Sequence, residues 1–143
     1  MQTSQNGINL LKKLEGCKLE SYLCSNGIPT IGIGHTKGVV LGQKINQEQA
    51  ELFLKQDLKE AENYVNMNVK KPINQNQFDA LVCFTFNVGG NAFKNSTLLK
   101  KINEATYTQD IAFQMRRWIY DSKRNPIQGL INRREEEIKL YYK

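Results

Sequence analysis

Apolar positions recur at helical spacing near the start of the chain, where Ile8, Leu11 and Leu14 follow Ser4 as a candidate cap and precede Gly16 as a stop. The pattern changes at Tyr22. From there to Val40 the chain is glycine-rich, and Thr30, Gly32 and Gly34 alternate with Ile31 and Ile33, which predicts a half-buried strand. Asn26-Gly27 ahead of it signals a hairpin, so this stretch reads as a small, twisted antiparallel sheet. Helical periodicity returns at Asn46. Ala50, Phe53, Leu54, Leu58, Ala61 and Val65 make one stripe uninterrupted by Gly or Pro, and Gln49 fits a capping box only loosely because Asn stands at the cap. Pro72 breaks the run. Four segments of helical length and period follow, over 75–90, 96–105, 108–121 and 129–143. The first, with Phe78, Leu81, Val82 and Phe86, is the most apolar and reads as a buried central helix. The expected class is α+β and mostly helical: one domain with a β-rich lobe at about 16–46, a connecting helix at 47–68, and a helical lobe from 1–15 plus 69–143.

Composition changes this picture little. With 143 residues, 40% of them apolar and 24% charged, the chain is of ordinary globular type, which argues against disorder and against a membrane-embedded body. No apolar run approaches the ~18 residues of a membrane helix. The N-terminal stretch MQTSQNGINLLKKLEG lacks the apolar region of a signal peptide, so synthesis in the cytoplasm is expected, with any export route supplied by another component. The net charge of +6 favours anionic partners such as nucleic acid, acidic lipid or cell-wall polymer. Its basic doublets, Lys12-Lys13, Lys70-Lys71, Lys100-Lys101, Arg116-Arg117 and Arg133-Arg134, are scattered rather than striped, which disfavours a nucleic-acid-binding module. Three cysteines do not make a disulfide scaffold, and a lone histidine gives no metal signature; no cofactor is expected.

The candidate chemistry lies where the first helix meets the glycine-rich ribbon. Glu15 ends the helix, Cys24 follows after eight intervening residues, and Thr30 after five more. A hairpin folding back over the helix end would bring all three side chains to one cleft. Glu-x8-Cys-x5-Thr, flanked by Gly16, Tyr22 and the run Gly32-Ile33-Gly34-His35-Thr36, resembles the signature of the phage-type lysozymes, the endolysin muramidases of glycoside hydrolase family twenty-four. The resemblance continues through Asn76–Asn103 and Gly129–Tyr142 and covers nearly the whole chain.

The resemblance implies a lysozyme-like fold and hydrolysis of the β-1,4 bond between N-acetylmuramic acid and N-acetylglucosamine in peptidoglycan. Glu15 would be the general acid, and Cys24 and Thr30 would assist a water attack with net inversion. Asp is the commoner residue where Cys24 stands; a thiol there acts as a partial thiolate, as a nucleophile, or as a filler. Arg133 matches the family's arginine and is expected to pair with Glu15, with Arg134 as the adjacent alternative. His35 has no assigned chemistry and reads as structural at the turn. Cys17 is either a small buried thiol or, if the hairpin brings it near Cys24, half of a disulfide switch that closes the site. Trp118 reads as core rather than as a sugar platform. Host lysis at the end of a phage cycle is implied, by a monomer that reaches the cell wall through a separate pore-forming, holin-type partner. Alternatives are a chitinase-like enzyme, a toxin-type muramidase, and a lysozyme-like protein that binds glycan without cutting it.

Overall fold

The structure is a computed structural model and describes residues 1–24 and 26–143. Its elements run α1 (Gln5–Glu15), β1 (Lys18–Leu23), β2 (Pro29–Gly32), α2 (Gln47–Asn68), α3 (Gln75–Val88), α4 (Gly90–Lys94), α5 (Thr97–Glu104), α6 (Gln109–Arg116) and α7 (Gln128–Tyr141). This is an α+β fold, mostly helical.

α3 is the hub. Phe78, Ala80, Leu81, Val82, Cys83 and Phe84 are all fully buried, as expected of a helix enclosed on every side. α1, α2, α4 and α7 pack around it. Burying three such large side chains completely (Phe78, Leu81 and Phe84) stabilises the hub by about 1.5–3 kcal/mol each. Asn74 and Gln77 close a full capping box at its start, and Asn46 and Gln49 do the same for α2, so asparagine serves as well as serine or threonine in this role. Gly89, at φ 95°, ends α3. The following Gly90 lies flat against the Tyr64 ring, where a Cβ would fall 2.1 Å from ring carbons.

The sheet has two strands. β1 and β2 pair antiparallel at Lys18–Gly32, Tyr22–Thr30 and Leu23–Pro29, with a bulge between the first two pairs. Within the bulge β1 turns to the 43–45 segment: the Ile45 N–H donates to the Leu19 carbonyl at 2.8 Å and the Ser21 N–H to the Gln43 carbonyl at 2.9 Å. The bulged strand thus keeps its backbone partners. β2 is not half-buried as its alternation predicts. Thr30, Ile31 and Gly32 are all buried, because one face packs on α2 and the other lines a cleft.

The segment 108–121 is helical only to Arg116. Trp118 leaves the helix, packs edge-on against Phe84, and offers its carbonyl to Arg134 Nε at 2.8 Å. A tight turn then bridges Tyr120 to Pro126, with the Asp121 carboxylate accepting from the Lys123 and Asn125 amides.

Candidate active site

α1 is held at its far end and delivers Glu15 at its near one. Ser4 caps the helix. Its N–H donates to Asp79 at 3.0 Å and its hydroxyl also donates to that carboxylate, while Gln75 Nε2 donates at 2.8 Å. Asp79 is fully buried and closes the N-terminus of α1. Eleven residues at ~1.5 Å each place Glu15 about 16 Å away, where Gly16 ends the helix at φ 69°.

The ribbon faces that carboxyl. Glu15, Tyr22, Cys24, Thr30 and Gly34 line one cleft of about 1440 Å³, which Arg117 and Trp118 also line. Gly34 makes the approach possible: its φ is +70°, and a Cβ there would fall 2.6 Å from Glu15 Oε2. Thr30 is 4% exposed, and its hydroxyl donates to the Ile28 carbonyl at 2.9 Å. Its one proton is spent there, which leaves the oxygen lone pairs free to accept. Burial disfavours a charged Cys24, yet the Asn26 and Ile28 amides and the Thr30 hydroxyl lie within bonding reach of the sulfur, and the thiol titrates below its ordinary value. Because Thr30 has a single proton, it serves Ile28 beside a neutral thiol and turns to the sulfur beside a thiolate. Tyr22 is shifted up, by burial first and then by the negative charge of Glu15 and Cys24.

Behind Glu15 lies a buried ionic chain. Arg133 Nη1 donates to Glu15 Oε1 at 2.5 Å, Nε to Glu137 Oε2 at 3.1 Å, and Nη2 to the Cys83 carbonyl at 2.9 Å. Arg134 Nη1 donates to Glu137 Oε1 at 2.5 Å, and Nη2 donates to Asn87. The Arg134 guanidinium also sits 4.9 Å from the centre of the Phe84 ring.

A family model described as "Phage lysozyme" matches residues 12–137. The chain belongs to the phage lysozyme family. It is 41% identical over 144 residues to the endolysin of Acyrthosiphon pisum secondary endosymbiont phage 1, covering 99% of this chain and 98% of that one. Among solved structures it is similar to the endolysin from Escherichia coli O157:H7 phage FAHEc1 (TM-score 0.91, 40% identity, 99% and 93% of the two chains). It is also similar to the muramidase domain of SpmX from Asticaccaulis excentricus (TM-score 0.89, 34% identity, 99% and 98%). As a phage lysozyme it is a lysozyme-type glycoside hydrolase.

In this phage lysozyme, Glu15, Cys24 and Thr30 line one cleft, and of the two candidate arginines it is Arg133 that reaches Glu15 while Arg134 bonds Glu137. His35 stands outside that group. Its backbone pairs with Ile31 in both directions, as suits a turn, but its ring does more than fill space: Nδ1 is 2.7 Å from Asp57 and the ring stacks on Phe53 at 4.2 Å. The histidine thereby ties the ribbon to α2.

Cys17 and Cys24 are not brought together. The six residues of β1 stand between them, and at ~3.3 Å per residue this strand spans about 20 Å of backbone, far beyond the ~7 Å Cα separation a disulfide allows. Nor is Cys17 a buried filler: it is exposed, with Sγ 3.7 Å from the Gln47 side chain. The disulfide switch therefore has no geometric basis. Trp118 is half-buried and serves both readings, packing on Phe84 while lining the cleft.

Sequence reasoning missed Glu137 as part of the site. Glu137 was open to detection, since Arg133 and Glu137 stand at i, i+4 and Arg134 and Glu137 at i, i+3 on one helix. Asp57 and Asn87 carry no local signal, because each pairs with a residue far away in sequence.

Proposed function

We propose that the protein is a peptidoglycan muramidase that hydrolyses the β-1,4 bond between N-acetylmuramic acid and N-acetylglucosamine, with Glu15 as the general acid. The observation that carries this reading is the convergence of Glu15, on the helix end, and Cys24 and Thr30, on the ribbon, on one cleft. Arg133 occupies Oε1 of Glu15, so the proton to be donated sits on Oε2, the oxygen against Gly34. That proton passes to the bridging oxygen as the glycosidic bond breaks. A water opposite, held by the free lone pairs of Thr30, attacks the anomeric carbon and gives its proton to the Cys24 thiolate. The sulfur supports the oxocarbenium-like transition state with its negative charge before taking that proton. One displacement by water inverts the anomeric centre.

The chain's charge suits this substrate. Peptide carboxylates and anionic wall polymers attract a protein of net charge +6, and Lys13, Arg117 and Lys123 line the cleft itself. No helix among the described residues is long and apolar enough to cross a membrane. In this reading a separate pore-forming partner admits the enzyme, a monomer, to the wall.

Turbidity of isolated cell walls tests the assignment. Wild type is expected to clear them and Glu15→Gln to lose nearly all activity; equal clearing by both removes Glu15 as the acid. Proton NMR of the first-formed product anomer distinguishes inversion from a covalent route through Cys24.

A further inference from the structure

We propose that Glu137 is a positioning residue for the acid step: by sharing the Arg133 guanidinium with Glu15, it lets Glu15 hold the proton it must donate. This rests on the reading of Glu15 as the acid.

An arginine bonded directly to a general acid poses a problem. The cation favours the carboxylate, the form that has no proton to give. Arg133 makes such a bond at 2.5 Å, and it is almost fully buried, where charge is poorly screened. The structure holds a counterweight. Arg133 Nε is 3.1 Å from Glu137 Oε2, so one guanidinium serves two carboxyl groups. Each oxygen of Glu137 receives an N–H from a guanidinium, Oε2 from Arg133 and Oε1 from Arg134 at 2.5 Å. An arginine has no acceptor to offer in return, so no partner remains for a carboxylic proton and Glu137 is the anion. Burial pushes its carboxyl up, and the two guanidinium groups pull against that.

The charges then decide the state of Glu15. With Glu137 ionised, the two arginines carry one uncompensated positive charge; without it they carry two, and both act on Glu15. Other charged or titratable groups stand on the elements around the pair. From the ribbon come Tyr22 and Cys24, and from the following turn His35, which is engaged with Asp57 of α2. From α3 come Asp79, bonded to Ser4, and Cys83, whose thiol is pushed well up by burial and stays neutral. Lys13 of α1 lies 3.7 Å from Glu136 of α7, and Arg117, Asp121 and Lys123 line the cleft. Among the described residues, Glu137 is the one carboxyl group besides Glu15 that bonds Arg133, whose remaining bond goes to the Cys83 carbonyl.

The test is the pH–activity profile on isolated cell walls. Glu137→Gln keeps the side chain's size and removes its charge. The alkaline limb of the profile is expected to move to lower pH by about one unit, with activity near pH 7 down about tenfold and activity near pH 5 within about twofold of wild type. Arg134→Gln strips a cation from the other side of Glu137 and is expected to move the limb the opposite way, by about half a unit. Melting curves accompany both variants, and assays run below the lower midpoint. A uniform loss with an unmoved limb overturns the proposal, as does failure of both variants to fold, since either assigns Glu137 to the scaffold. If wild type and Glu15→Gln clear walls equally, it is the acid assignment that fails, and the profile of Glu137→Gln is not then read.

Discussion

Gly34 lies against Glu15 so closely that a Cβ on it would fall 2.6 Å from Oε2. The contact joins the ribbon to the acid and leaves room for hydrogen alone at that α-carbon. Two costs meet in Gly34→Ala: a backbone at φ +70°, worth about 1–2 kcal/mol for an L-residue, and displacement of the carboxyl oxygen that carries the proton. The variant is expected to fold with a lowered melting temperature and to clear cell walls at least tenfold more slowly, because small misplacements of a reacting group are costly. Wild-type clearing by a folded Gly34→Ala protein counts against Oε2 as the donor.

Arg133 holds Glu15 from the opposite side, and its removal has a different signature. Arg133→Ala leaves Glu137 with one cation and strands the Cys83 carbonyl in the core. Breaking a buried charge network in this way costs about 3–5 kcal/mol. Denaturant unfolding is expected to show a loss of that order, whereas an exposed pair such as Arg116–Glu135 contributes about 0–1 kcal/mol. A loss under 1 kcal/mol for Arg133→Ala rules out the chain of charges as a structural element.

Much of this arrangement was legible in the sequence, and the reasons for what was not are physical. Helices announce themselves through local periodicity, so the stripe Ala50–Val65 and the apolar run Phe78–Phe86 correspond to α2 and α3. The end of α6 is decided elsewhere: the Trp118 carbonyl serves Arg134, sixteen residues on, and that bond draws the chain out of the helix after Arg116. β2 reads as half-buried because alternation cannot reveal that the second face lines a cleft. Glu15, Cys24 and Thr30 form a readable unit because they lie close in sequence, on or just after three consecutive elements, α1, β1 and β2. The His35–Asp57 and Arg134–Asn87 pairs lie 22 and 47 residues apart, where spacing carries no message. The Cys17–Cys24 switch fails for a related reason: nearness in sequence means distance in space when a strand lies between.

The cysteines are expected to separate cleanly by reactivity. Cys83 is buried and pushed well up, so iodoacetamide should leave it unmodified in the native protein. Cys24 is partly exposed and titrates below the ordinary thiol value, which means a larger thiolate fraction at neutral pH. Its alkylation rate should rise with pH and level off at a lower pH than that of a free cysteine. Modification there blocks the cleft, so clearing activity should fall in step with label at Cys24, while Cys24→Ser should be insensitive to the reagent. Mass spectrometry of the labelled peptides reads the order, and a plateau at or above the free-cysteine pH contradicts the lowered thiol.

The same surroundings make a claim about Cys24→Asp. The Asn26 and Ile28 amides and the Thr30 hydroxyl are placed to receive negative charge at this position, and they do not depend on the atom that bears it being sulfur. A carboxylate there is ionised throughout the neutral range, whereas the thiol is ionised only in part. Cys24→Asp is therefore expected to retain at least wild-type clearing near pH 7 and to hold it further into acid. Serine, which supplies no anion, is expected to cost about tenfold to a hundredfold. The pH–activity profiles of the two variants on the same cell walls make the comparison. Equal activity of Cys24→Ser and wild type would assign the sulfur to filling space, leaving Thr30 alone to hold the attacking water.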